Sequence, residues 1–181
     1  MSAGKREPRD ACTDGVVALS HFAPSDAAAM CEADRDPEHR RRFATPADFV
    51  PSVEHSRAVV ARWQAERAAG SRFVYAVRAA RGGELLGGCE LAPLGDGALN
   101  LAYWTYVAHR RRGVASRAVA LVLPLAFEDL AATRVEASID ADNEASRRVA
   151  MRAGLTEVGA RDGRRAYALA RNAEARHLRR T

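Results

Sequence analysis

The sequence predicts a single mixed α/β domain, and three observations carry that reading. Apolar residues alternate with period two between Arg72 and Val107. They recur at helical spacing around Trp63 and again from Val119 to Ala126. No internal repeat, linker or second composition zone divides the 181 residues. Hydrophobic residues make up 48% and charged residues 28%, as in a globular chain, and no apolar run approaches the ~20 residues of a membrane span. A flexible leader is expected over 1–14, the folded domain over 15–170 and a polar, basic tail over 171–181. No apolar stretch follows the basic residues of the leader, so it does not read as a signal peptide, and the expected compartment is the cytoplasm.

Gly15–Leu19 reads as the first strand, and alanine-rich Pro24–Ala33 as the first helix. A turn follows. Thr45 before Pro46, with Asp48 two residues on, has the cap and first-turn proline of a helix start, and Pro51-Ser52 is a second place for it to begin. Val53, Val59, Val60 and Trp63 mark its apolar face, and Gly70 stops it. Phe73, Tyr75 and Val77 alternate in the next strand. Gly82-Gly83 turns it into Leu85–Leu91 and Gly95-Asp96-Gly97 into Ala98–Val107, an antiparallel meander. Beyond Gly113 come a helix through Val119, Val122, Leu123 and Ala126, a strand at Arg134–Ile139, a helix at Asn143–Ala153, and closing strands at Leu155–Ala160 and Arg164–Leu169. Pro124 cannot donate to the Ala120 carbonyl, so a kink or loosening is expected there. The sum is about seven strands, mostly antiparallel, and about four helices.

Cys12, Cys31 and Cys89 show no metal spacing, so neither a metal nor a disulfide is expected, and Cys89 reads as a small buried hydrophobe. The net charge of +5 points to something acidic. Only Arg40-Arg41-Arg42 and Arg110-Arg111-Arg112 are dense clusters, and a nucleic-acid module would add stacking aromatics or a recognition helix that are not seen. The first cluster suits either an acidic acceptor or a solvated face. The second lies in the junction Val107-Ala108-His109-Arg110-Arg111-Arg112-Gly113-Val114-Ala115-Ser116, between a strand and a helix. There Gly113 and Ala115 permit close approach to the backbone, the helix start offers N–H groups to an anion, and arginine adds charge-assisted bonds.

Arg110, Gly113 and Ala115 fit the pattern Arg/Gln-x-x-Gly-x-Gly/Ala, and in it the chain resembles the GNAT acetyltransferases. Tyr103-Trp104, Asn143-x-x-Ser146 and Gly154-Leu155 resemble the Gly-Tyr-Trp, Asn-x-x-Ser and Leu-Gly-Phe signatures of the branch that holds the ribosomal-protein N-terminal acetyltransferases. The resemblance spans about Gly15 to Leu169, with its specific part from Ala98 to Gly159.

The resemblance implies a GNAT fold, a twisted sheet splayed between its fourth and fifth strands, Ala98–Val107 and Arg134–Ile139, with the pantetheine arm of acetyl-CoA in the gap. It implies that the Val107 amide meets the thioester or pantetheine, that Arg110, Arg111, Arg112, Gly113, Val114, Ala115 and Ser116 hold the pyrophosphate, and that Asn143 bonds the arm. Asn143 suits a helix N-cap equally well. Ser146 would protonate the departing thiolate; its ordinary alternative is a hydroxyl bonded back to its own turn. The tyrosine many members carry on this helix is absent, and Asn100 stands where a glutamate is frequent. Glu90 is therefore the candidate base, with His109, Asp140 or a water as rivals. Asp36 to Ser56 are expected to face the acceptor. The implied reaction moves an acetyl group from acetyl-CoA, a cosubstrate needing no metal, to a primary amine of a protein N-terminus or small molecule. A catalytically weak CoA-binding sensor is the alternative. The reading leaves room for a homodimer and for other acyl groups, and expects no membrane partner.

Overall fold

Alternating side chains and glycine turns between Arg72 and Val107 fold into three consecutive antiparallel strands of a larger sheet. The structure, a computed structural model, describes residues 8–171, the Arg161 side chain excepted. Half of the expected leader and all but Arg171 of the expected tail lie outside the described residues. The chain runs β1 (Cys12–Thr13), β2 (Val17–Ser20), α1 (Ala27–Ala33), α2 (Pro37–Arg42), α3 (Val53–Ala68), β3 (Phe73–Ala79), β4 (Leu85–Gly95), β5 (Ala98–Thr105), α4 (Val114–Pro124), β6 (Arg134–Asp140), α5 (Glu144–Arg152), β7 (Thr156–Arg161) and β8 (Arg164–Ala170). A 3-10 turn at Pro24–Asp26 leads into α1, another at Val107–His109 follows β5, and a π-helical turn at Leu125–Asp129 extends α4.

The sheet has the order β1-β2-β3-β4-β5-β6-β8-β7, antiparallel throughout except where β5 meets β6. Its eighth strand comes from within the stretch expected as leader. Cys12 and Thr13 pair with Leu19 and Ala18, and Arg9 bonds Asp129 at 3.0 Å. Two paired residues are too short to register a period.

Of the two starts expected for the next helix, Thr45-Pro46 and Pro51-Ser52, the structure takes the second, and α3 begins at Val53. Ser52 caps it by accepting from His55 N at 3.0 Å, while Arg40 Nη2 donates to the carbonyls of Pro46, Ala47 and Phe49 and holds that stretch as a loop. Gly70 ends α3 at φ 68°, as its position predicts. The turn expected after α1 contains α2, capped by Asp36 with Pro37 in its first turn. Pro124 does loosen α4: beyond it Leu130 N donates to Leu125 O, a π-type bond of 2.9 Å.

Period two gives the sheet two buried faces. Phe73, Tyr75 and Val77 join Leu91, Leu101, Val119, Val122 and Ala150 in the larger core beneath α4 and α5. Val74 and Ala76 join Phe22, Met30 and Val60 beneath α1 and α3, with Trp63 and Trp104 packed against them. Cys89 is fully buried in the larger core, where burial pushes its thiol pKa up, consistent with a packing role.

Trp104 lies across β4 because its neighbour there has no side chain: a Cβ on Gly88 would fall 2.2 Å from Trp104 Cζ2. Gly88→Ala must push the indole aside. The expected cost is about 1–3 kcal/mol of overpacking, seen as a lower denaturation midpoint with a red-shifted tryptophan emission. An unchanged midpoint and spectrum would mean the indole is not held there.

Candidate functional site

The two strands at the centre of the sheet begin paired and then part. β5 and β6 match only at Ala98–Arg134, Leu99–Val135 and Asn100–Glu136, although β5 continues to Thr105 and β6 to Asp140. Each keeps its outer partner throughout, β4 on one side and β8 on the other, so the inner edges diverge. Tyr106 N donates to Leu86 O on β4 at 2.9 Å. By the alternation of an antiparallel ladder, Thr105, Tyr103 and Leu101 turn their backbone groups the other way, into the gap. The Thr105 hydroxyl, buried, has no hydrogen-bond partner among the described residues.

At the wide end of this gap α4 begins. Its N-cap, Gly113, sits at φ 76° with no side-chain cap, which leaves the first-turn N–H groups of Val114, Ala115 and Ser116 without a cap. An added Cβ on Gly113 would meet nothing within 4 Å, so the turn faces open space. Arg111 and Arg112 are exposed, and their side chains pair with none of the described residues. The strand expected to run to Val107 is shorter. β5 stops at Thr105, and Val107 belongs to the 3-10 turn with its side chain 59% exposed.

Arg110 does not turn into this cradle either. Its guanidinium bonds Asp36, Glu38 at 3.1 Å and the Thr105 carbonyl at 3.3 Å. At the other end of α2, Arg42 bonds Asp140 at 2.8 Å and Asp142 at 2.6 Å, and Arg41 bonds Asp142 at 2.9 Å. α2 thus bridges the ends of β5 and β6, acid end to Arg110 and basic end to the aspartates. It buries no residue, so charge rather than apolar contact holds it. Arg42 and Arg164 hold Asp140 below the usual carboxylate range; Arg42 and Arg41 bring Asp142 to about 2. Arg40, Arg41 and Arg42 thus each have partners within the chain, Arg41 with its side chain still 57% exposed.

Asn143 is the N-cap of α5, its side chain accepting from Ser146 N at 3.1 Å. Ser146 Oγ donates to Tyr103 Oη at 3.0 Å, and Tyr103 Oη donates to the Ser146 carbonyl at 2.8 Å. The hydroxyl reaches across the gap and not back to its own turn. Glu90 lies on the other face of the sheet, opposite Val74 and Ala102, with Arg72 Nε 3.4 Å away. Burial pushes its carboxyl pKa up, and Arg72 partly offsets this. Ser146 and Glu90 would approach one reacting group only through the gap. Of the rival bases, Asp140 is bound to Arg42 and Arg164, and His109 Nε2 stands 3.8 Å from Glu84.

This parting of strands beside an uncapped helix start has a counterpart in sequence: residues 17–156 match the acetyltransferase (GNAT) domain. The chain belongs to the GNAT acetyltransferase family. It is 30% identical over 116 residues to the probable N-acetyltransferase YjcK of Bacillus subtilis, a match that covers 62% of this chain and 64% of that protein. Mycobacterium smegmatis RimJ, solved with CoA-disulfide, superposes with a TM-score of 0.73 at 22% identity, over 89% of this chain and 84% of that one. RimL, a ribosomal L7/L12 alpha-N-protein acetyltransferase solved with coenzyme A, gives 0.72 at 18% identity, over 87% and 96%. At these identities the likeness is one of fold.

Within the GNAT fold of this chain, the gap, the α4 start, Asn143 and Ser146 come together at one end of the sheet. A cavity of about 1010 Å³ lies at the opposite end, walled by Phe22, Trp63, Arg67, Phe73 and Leu99, and shares no residue with them. Two further residues stand at the gap: Tyr103, noted in the sequence only as part of a signature, and Thr105. On the α1 and α3 side Phe43, from the segment expected to face the acceptor, stands edge-on to Trp104 at 5.4 Å.

Arg42→Ala should free α2 at one end. Amide exchange over 37–42 is expected to rise several-fold with the rest of the fold protected, and ~1 M salt should act on the wild type in the same direction. The acid limb has a definite sign. Because Asp142 falls from 3.8 to about 2, its contribution is present above the ordinary value and lost as pH falls through about 2. Exchange over α2 that ignores both Arg42 and salt would mean the strap is held otherwise.

Proposed function

We propose that this chain is an acetyl-CoA-dependent N-acyltransferase whose acceptor is a primary amine, on a protein N-terminus or a small molecule. The observation that supports this most is the open inner edge of β5 beside the uncapped start of α4. An extended arm carrying amides suits the first as an added strand, and a pyrophosphate suits the second. The α1 and α3 side, with Trp104, Phe43 and the Glu90 carboxylate, suits an amine. Among the described residues no helix is long and apolar enough to cross a membrane.

On this reading the coenzyme supplies an acyl thioester, and the chain supplies placement and protons. Leu101, Tyr103 and Thr105 present backbone groups to the arm, the task expected of Val107. Arg111, Arg112 and the N–H groups of Val114, Ala115 and Ser116 meet the pyrophosphate, while Arg110 braces α2 and Asn143 caps α5. Ser146 gives its hydroxyl proton to the departing thiolate and regains one from solvent. Glu90 takes a proton from the amine, directly or through water. A CoA-binding sensor with little turnover is a second reading, favoured by the pairing of Ser146 with Tyr103 and of Glu90 with Arg72. Free-thiol release from acetyl-CoA across amines and peptides separates the two.

Coenzyme A should raise the melting temperature, by the equivalent of ~2.7 kcal/mol at a hundredfold excess over its dissociation constant. Gly113→Glu, which puts a carboxylate in the open space at the α4 start, should remove that rise and leave the fold intact. No shift at millimolar coenzyme A would remove the proposal.

Glu90→Gln should lower turnover near neutral pH and recover as pH rises and the amine deprotonates unaided. Because burial raises the Glu90 pKa, the base is active only above a pH higher than the ordinary 4.5. A loss that is equal at every pH would assign Glu90 to packing.

A further inference from the structure

Tyr103 and Ser146 stand on the two arms of the parted sheet. Tyr103 comes from β5 beyond its last match with β6, and Ser146 from the first turn of α5, which β6 feeds. Two hydrogen bonds join them, and the Asn143 cap fixes the Ser146 amide. The Tyr103 ring packs against the larger core opposite Cys89, so it cannot swing away.

We propose that Tyr103 is a positioning residue that holds the Ser146 hydroxyl in the gap and supports it when that hydroxyl turns to the coenzyme sulfur. The inference rests on the acyl-transfer reading above. It follows from counting protons on two hydroxyls. Serine Oγ carries one proton and two acceptor sites. At rest its proton is given to Tyr103 Oη, and the Tyr103 proton is given to the Ser146 carbonyl. A thiolate forming in the gap is a stronger acceptor than a phenol oxygen, so the serine O–H turns to it. The Ser146 carbonyl keeps its own helical N–H partner, which lets the Tyr103 O–H swing to Oγ. The negative charge that builds on Oγ is then met by a donor, and no proton leaves Tyr103. Burial pushes the Tyr103 pKa up to about 12, so the phenol keeps its proton across the working range.

A strut that merely ties the arms together would have the same resting bonds, so the test must read the sulfur. Wild type, Ser146→Ala, Tyr103→Phe and the double variant are compared with coenzyme A itself as the probe. The acidity of its bound thiol is followed by thiolate absorbance, and affinity is measured at neutral pH. Each single variant should weaken the bound thiol's acid constant about tenfold, the scale of one hydrogen bond to a charged group. The double variant should weaken it no further, and affinity should stay within about twofold. Turnover on the best acceptor should follow the same pattern in kcat, with KM for acetyl-CoA nearly unchanged. Losses that multiply in the double variant, or a Tyr103→Phe protein that loses affinity or melts earlier with thiol acidity unchanged, would overturn the proposal and leave a strut. Absence of coenzyme A binding in the wild type would overturn the acyl-transfer reading, and this one with it.

Discussion

The parting of β5 from β6 after Asn100 and Glu136 is the constraint on which the rest of the molecule depends. A strand edge inside a fold carries N–H and C=O groups that must find partners, and a gap between two central strands is the costliest place to leave them. Here the divergence is imposed from outside. β4 holds β5 along its length and β8 holds β6, so two twisted half-sheets share only a three-residue seam. Everything at that end answers to the opening. α5 starts beside it, Tyr103 reaches across it, α4 points its uncapped N-terminus at its mouth and α2 lies over the top.

The two devices that cross the opening differ in kind. Tyr103 and Ser146 join the arms by short, half-buried bonds between neutral groups, which salt does not screen. α2 joins them by charge, with acids at its start and arginines at its end, an order the helix dipole favours. Exposed ion pairs contribute little singly. A set of them on a helix with no buried residue fixes a position without adding much stability, and it does so with Arg110, whose place beside the cradle suggested a different use.

Legibility in the sequence followed the length and apolar content of each element. The meander from Phe73 to Thr105 and the stripes of α3 and α4 were readable because many residues repeat one period. α2 offered no apolar stripe, although Asp36-Pro37-Glu38 is a helix start by its capping chemistry alone. Apolar Val107 carries the strand pattern two residues past the Thr105 end of β5, and nothing local says that the chain has already turned. The Gly113 turn and the Asn143 cap are contained in a few adjacent residues and were found. Arg110 with Asp36, Ser146 with Tyr103, and the insertion of β8 between β6 and β7 join residues far apart in the chain, and no local pattern records them. The candidate site was therefore legible in its backbone parts and illegible in its side-chain partnerships.

The order of strands has a consequence for how the chain reaches this state. Residues 73–105 form a meander closed by neighbours in sequence, whereas within residues 134–170 the last strand, β8, returns between β6 and β7. Local contacts such as those of the meander cost little loop entropy to close. The seam between the two stretches unites segments separated by the whole α4 excursion, and it is short. The two halves nevertheless share one apolar core beneath α4 and α5, so packing rather than the few ladder bonds of the seam joins them. The place where chemistry is proposed to occur is thus where two long neighbouring strands share the fewest ladder bonds for their length.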